Sequence, residues 1–151
     1  MKVGRKFVVV GAVALIGLVS MAGVAGAGGR PLSTDLNGAE EVPGPGDSNA
    51  SGQADLTLNR GKGEVCFDIS WSQIDGTVFA AHIHAAPTGV AGSVVVPLFE
   101  GTFSGTAEVS GCVPVARDTV KAISQNPSGY YVNVHSTPGF EAGAVRGQLG
   151  D

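Results

Sequence analysis

Polar and apolar residues alternate with a strict period of two in run after run of this chain, and that leaves it little choice but β-strands. Gly52, Ala54, Leu56 and Leu58 oppose Gln53, Asp55, Thr57 and Asn59, and Val65, Phe67, Ile69 and Trp71 repeat the pattern after the turn residues Asn59 to Gly63, so the pair reads as a hairpin. Asp75-Gly76 turns the chain into a run in which Phe79, Ala81 and Ile83 point one way and His82 and His84 the other. Further strands are predicted over Ser93–Phe99, Gly105–Val115, Tyr130–His135 and Ala144–Leu149. Leu32–Gly38 reads as an edge strand, and Ala39–Asp47, with its Pro and Gly, as a surface loop. The aromatics Phe67, Trp71, Phe79 and Tyr130 fall on apolar faces and are assigned to the core. Arg117–Asn126 is the one predicted helix, with Ala116, Val120 and Ile123 on its apolar side and Pro127 as its stop. Short strands at intervals of about ten residues predict an all-β fold, a two-sheet antiparallel sandwich of Greek-key or immunoglobulin-like type with one short helix.

The N-terminus is read apart from this domain. Lys2, Arg5 and Lys6 precede an apolar run and the small-residue exit Ala25-Gly26-Ala27, which predicts a secretory signal peptide over residues 1–27. Residues 28–32 are then a lead-in and 33–151 a single domain. Three of the nine Lys and Arg lie in the leader, so the remaining six face 13 Asp and Glu, a balance that repels nucleic acid and anionic lipid. After cleavage no membrane segment is expected. Cys66 and Cys112 lie on the polar sides of their strands, and in an exported chain two such thiols predict one disulfide. No Cys-x-x-Cys spacing supports a redox-active pair.

The polar faces of three strands collect His82, His84, Tyr131, Asn133, His135, Arg146 and Gln148. A His-x-His strand beside a strand carrying a third His can present three nitrogens to one ion, because alternate residues on a strand are held about 6.5 to 7 Å apart. Neutral imidazoles with an open position suit Cu(II) or Zn(II). The same residues could also be hydrogen-bonding surface groups, and alternation alone leaves both possibilities open. The hydroxyls lack a base with an orienting acid at triad spacing, and the Gly-rich loops lack a phosphate-cradle pattern.

Leu36-Asn37-Gly38-Ala39-Glu40-Glu41-Val42-Pro43, Ala81-His82-Ile83-His84 followed by Val94-Val95-Val96-Pro97-Leu98, Tyr131-Val132-Asn133-Val134-His135 and Val145-Arg146-Gly147-Gln148-Leu149 together resemble the CHRD (chordin) domain family over about Ser33–Gly150. The resemblance implies an extracellular β-sandwich. It departs where Gly143-Ala144-Val145-Arg146-Gly147-Gln148 stands in place of Gly-Glu-Ile-Arg-Gly-Gln, so the role of that acid is absent unless Glu141 substitutes. A weaker resemblance is to the copper-zinc superoxide dismutase sandwich: His82-Ile83-His84 is similar to its copper strand, Val134-His135 to its late copper histidine, and Arg146 to the arginine that guides its anionic substrate. With only three histidines and no zinc loop, full dismutase chemistry is not expected. Three readings follow. The first is a secreted CHRD binding or cell-envelope module, without turnover, that holds a metal ion or polar ligand at His82, His84 and His135 with Tyr131, Asn133, Arg146 and Gln148 around them, its partner being a protein, polymer or small ligand. The second is a mononuclear copper or zinc enzyme, and the third a matrix or adhesion domain with purely structural histidines.

Overall fold

Turn chemistry fixes the first hairpin. Gly63 takes a φ of 69°, its N–H donates to the Asn59 carbonyl at 2.9 Å, and the Asn59 side chain accepts from the Lys62 N–H at 3.1 Å. The two strands it joins then pair in unbroken register from Asn59 opposite Glu64 to Ser51 opposite Ser72.

The computed structural model describes residues 28–150, so the predicted signal peptide lies outside the described residues. The strands are β1 (Arg30–Asn37), β2 (Ser51–Asn59), β3 (Glu64–Ser72), β4 (Thr77–Ala85), β5 (Ser93–Ser104), β6 (Ala107–Pro114), β7 (Tyr130–Thr137) and β8 (Phe140–Gln148), with one helix, α1 (Arg117–Gln125), between β6 and β7. Among the described residues, no helix is long and apolar enough to cross a membrane.

All pairings are antiparallel, in the order β5-β4-β7-β8-β1-β2-β3-β6. The all-β prediction with one short helix holds, and the eight strands form one continuous, nearly closed, barrel-like sheet that is not clearly the expected two-sheet sandwich. Two four-stranded halves meet at a single ladder pair, Asn37 opposite Arg146. At the other seam the short link Gly105-Thr106 brings the terminal strands β5 and β6 together, where Trp71 Nε1–H donates to the Gly105 carbonyl at 3.0 Å and the Phe99 and Phe103 rings each lie 5.8 Å from Trp71. Alternation is satisfied equally by two facing sheets or by one sheet curled on itself, so periodicity could not choose between them. Inside, Leu56, Ile69, Ile83, Val132 and Val145 are buried, and Val120 and Ile123 of α1 seal one side. Each such side chain contributes about 1.5–3 kcal/mol by leaving water. Ala116, expected on that helical face, is instead the exposed N-cap.

Three local expectations change. β1 starts at Arg30, within the expected lead-in, and lies between β8 and β2 rather than at an edge. The Ala39–Asp47 loop is no plain surface loop, because Gly38–Glu40 forms a 3-10 turn capped by the Asn37 side chain, and Glu41 and Asp47 are buried beyond it. Phe79 leaves the core face, since the β4 pairings slip between Val78 and Ala80. Val78 and Ala81 consequently both reach the core, while the Phe79 ring lies 5.9 Å from His135 on the opposite face. A bulge inserts one residue and reverses the parity of what precedes it.

Candidate metal centre

The registers of β4, β7 and β8 build the site as a grid. Ala80 lies opposite His135, His82 opposite Asn133, and His84 opposite Tyr131. Across the next ladder Asn133 faces Arg146 and Tyr131 faces Gln148. All seven side chains singled out by alternation therefore share one wall. Ala80 is the low point of that wall, and its single methyl leaves room for the imidazoles of His82 and His135 to lean together, with His82 Nδ1 2.9 Å from His135 Nε2. The His84 ring centre is 5.7 Å from that of His82 and 5.8 Å from that of His135, and each residue offers a ligand nitrogen within 4.8 Å of the others.

Backbone carbonyls set which nitrogens are free. A carbonyl only accepts, so His84 Nδ1–H donates to the Gly92 carbonyl at 2.9 Å and His135 Nδ1–H donates to the Glu141 carbonyl at 3.0 Å. Both rings keep an Nε2 lone pair. With the His135 proton on Nδ1, His135 Nε2 accepts from His82 Nδ1–H. His84 Nε2 is buried and has no hydrogen-bond partner among the described residues. The Glu141 carbonyl reaches His135 because β8 is irregular there: Val134 pairs with Val145, but Ser136 pairs with Phe140.

This wall is not exposed. His84 and His135 are buried, His82 is half-buried, and every residue from Tyr131 to Ser136 is buried, since the loop over Ala86–Gly92 and the segment around Glu41 cover β7 and β8 from outside. Burial drives all three imidazoles toward the neutral form and holds His135 at about 4, the other two rings adding to the effect. For His82, burial and then the charge of His84 lower the pKa against the opposing pull of Glu100. For His84, burial lowers it, the Gly92 hydrogen bond opposes, and Arg146 lowers it further.

The surrounding residues act as a frame. Tyr131 stacks on His84 at 4.8 Å with 9° between the planes, its hydroxyl accepts from the Gly92 N–H at 3.1 Å, and the Arg146 guanidinium carbon sits 3.4 Å from the centre of the Tyr131 ring. Arg146 is itself buried and donates to the carbonyls of Val90 and Pro87 at 2.9 and 3.1 Å and to Gln148 Oε1 at 3.2 Å. Gln148 Nε2 lies within 2.8 to 3.0 Å of the carbonyls of Tyr130, Ser128 and Ala86. Arg146 and Gln148 thus hold the covering loop.

One buried residue here was missed by the sequence reading. Glu41 accepts from Asn133 Nδ2, and burial pushes its carboxyl up to about 7 although Arg146, Asn133 and the Val42 N–H pull it down. Only its place in the Leu36–Pro43 motif marks it in the sequence. Glu141 does not take that role, because its exposed carboxylate is bound to its own turn, where the Glu141 N–H, then the Gly139 N–H and Thr137 Oγ1, lower its pKa. The predicted disulfide is present, Cys66 opposite Cys112 on β3 and β6.

Comparison with curated proteins and with solved structures returns no match. The CHRD domain family model, in contrast, matches residues 32–149, from the middle of β1 past the end of β8, and so takes in the whole histidine wall and the loops that cover it. This chain belongs to the CHRD domain family.

Proposed function

We propose that this chain is an exported CHRD binding module whose ligand is one divalent transition-metal ion, Cu(II) or Zn(II), held by His82 Nδ1 and by Nε2 of His84 and His135. The leader-like N-terminus and the disulfide support export. The observation that carries the metal is His84 Nε2, a buried lone pair with no donor, aimed among the ring nitrogens of two other histidines. Leaving such an atom unsatisfied costs about 1–3 kcal/mol, and an ion would recover it. The second ring nitrogens of His84 and His135 are held by carbonyls, which is how metal-bound imidazoles are oriented. Nitrogens bound to one ion stand about 3.3 Å apart in a tetrahedral site and at most about 4.2 Å apart when opposite each other, so nitrogens that lie within 4.8 Å of one another draw closer on binding, and the half-buried His82 ring has the freedom to move. Arg146, which the dismutase resemblance assigns to an anionic substrate, spends its donors on Val90, Pro87 and Gln148, and this favours a binding module over the enzyme.

Titration of the purified protein with Cu(II) and with Zn(II), beside His84→Ala, tests the proposal. Stoichiometric binding by the parent protein that disappears in the variant is the expected result. A parent protein that takes up neither ion refutes it.

A further inference from the structure

Three imidazoles leave a tetrahedral or tetragonal ion at least one position short, and the wall around them is not equally open on all sides. His84 and His135 are buried, whereas His82 retains access to solvent. The open side is therefore toward β5, which flanks β4 on the side away from β7. β5 places Pro97 opposite His82 and Glu100 opposite Ala80. Ala80 is also the residue opposite His135, so Glu100, Ala80 and His135 form one row across three strands, with His82 in the next row.

The face follows from the same register. Phe99 pairs with the core residue Ala81, so its neighbour Glu100 stands with Ala80 on the histidine side of the sheet. A residue diagonal to another across a strand pair is about 7–8 Å away, within reach of a long side chain.

The neighbouring carboxylates are already engaged. Glu41 is held by Asn133, and Glu141 by Thr137 and Gly139. Glu100 is exposed and has no hydrogen-bond or ion-pair partner among the described residues. We infer that Glu100 is the fourth protein donor of the site, swinging over Ala80 to bind the ion that His82, His84 and His135 hold, so that the centre is three imidazoles and one carboxylate. This rests on the metal site proposed above and adds an oxygen donor, and with it a preference for an ion that accepts mixed nitrogen and oxygen ligation.

The test uses Cu(II) alone as the probe, with affinity measured by competition against a chelator and donor atoms read by electron paramagnetic resonance. Glu100→Gln removes the carboxylate at an exposed position, and Glu108→Gln, an exposed acid on β6 paired with Ser70, makes the same change in net charge away from the wall. The expected result is at least about a tenfold loss of affinity in Glu100→Gln, since even groups outside the ligand shell contribute that much, with a changed copper spectrum and no change in Glu108→Gln. Unchanged affinity and spectrum in Glu100→Gln, or an equal loss in both variants, overturns the role of Glu100 while leaving the three-histidine site intact. Absence of copper binding in the parent protein overturns the site itself, and this inference with it.

Discussion

Asn133 donates through one amide nitrogen to both oxygens of Glu41, at 2.8 and 2.9 Å, in a buried space where Gly143 has no side chain. The carboxylate is thus tied to the centre of the histidine wall, between Tyr131 and His135 on β7, and out of water. Its Coulombic partner Arg146 does not offset the burial, and its pKa rises to about 7.

Glu41→Gln should therefore stabilise the metal-free protein at alkaline pH. A carboxyl raised from 4.5 to about 7 by folding contributes its stability in full below 4.5 and loses it as pH climbs through 7. The amide has no charge to bury, and its nitrogen can donate to Asn133 Oδ1, which has no partner among the described residues. The expected gain is up to about 3 kcal/mol at pH 8 and little at pH 4.5. Urea unfolding at the two pH values decides it, and an equal or less stable variant at pH 8 contradicts the assignment.

The histidines act with the opposite sign. Burial lowers all three, His135 to about 4, so their contribution is complete above 6.5 and is lost as pH falls toward 4. On the order of 3 kcal/mol attaches to His135. Because Glu41 works against this trend over nearly the same range, the parent protein should show a flattened profile, and Glu41→Gln a steeper rise between pH 4 and 6.5. Unfolding free energies across that interval, in the presence of chelator, measure both slopes.

Gly143→Ala should cost at least about 2 kcal/mol. Its φ of 151° and a Cβ only 2.4 Å from both Asn133 Nδ2 and Glu41 Oε2 combine poor backbone geometry with overlap. Gly139, at φ 110° with open space where a Cβ would stand, provides the comparison: its Ala variant meets only the backbone penalty, about 1–2 kcal/mol. Thermal melts of the two should rank in that order.

Reducing Cys66–Cys112 frees a segment of 46 residues, worth about 4 kcal/mol in the chain-entropy model. It also unfastens β6, the last strand in the sheet order. The denaturant midpoint should fall accordingly when reductant is added. An unchanged midpoint would mean that the Trp71, Phe99 and Phe103 seam closes the sheet unaided.

Tyr131→Phe keeps the ring that stacks between His84 and Arg146 but loses the acceptor for the Gly92 N–H. A loss of about 1 kcal/mol in stability is expected. Metal affinity should fall less than in His84→Ala, because the Gly92 carbonyl still orients His84. Parallel copper titrations of the two variants compare them.

Much of this is legible in the sequence. Phe67, Ile69 and Trp71 were placed inward by alternation and are buried; Cys66 and Cys112 were placed outward and are joined. His82 and His84 had to share a face because strand geometry allows neighbours two apart no alternative. Phe79 was misplaced because a bulge gives no signal in the pattern it interrupts. Glu41 was misread for another reason: the Pro and Gly around it describe the path of the loop, not what the loop lies against.

The division between sequence and structure follows the range of the forces involved. Period-two alternation is a property of each strand alone, so the chain by itself determined that it is all-β, which side of most strands is apolar, and which histidines can act together. Neighbour order, register and loop cover depend on residues far apart in the chain. Only the folded molecule decided that β4 lies between β5 and β7, that Ala80 opens the space in which His82 meets His135, and that the polar wall is enclosed. One strand's pattern fits many partners, and the pairing that wins is the one that satisfies every backbone donor and fills the interior at once.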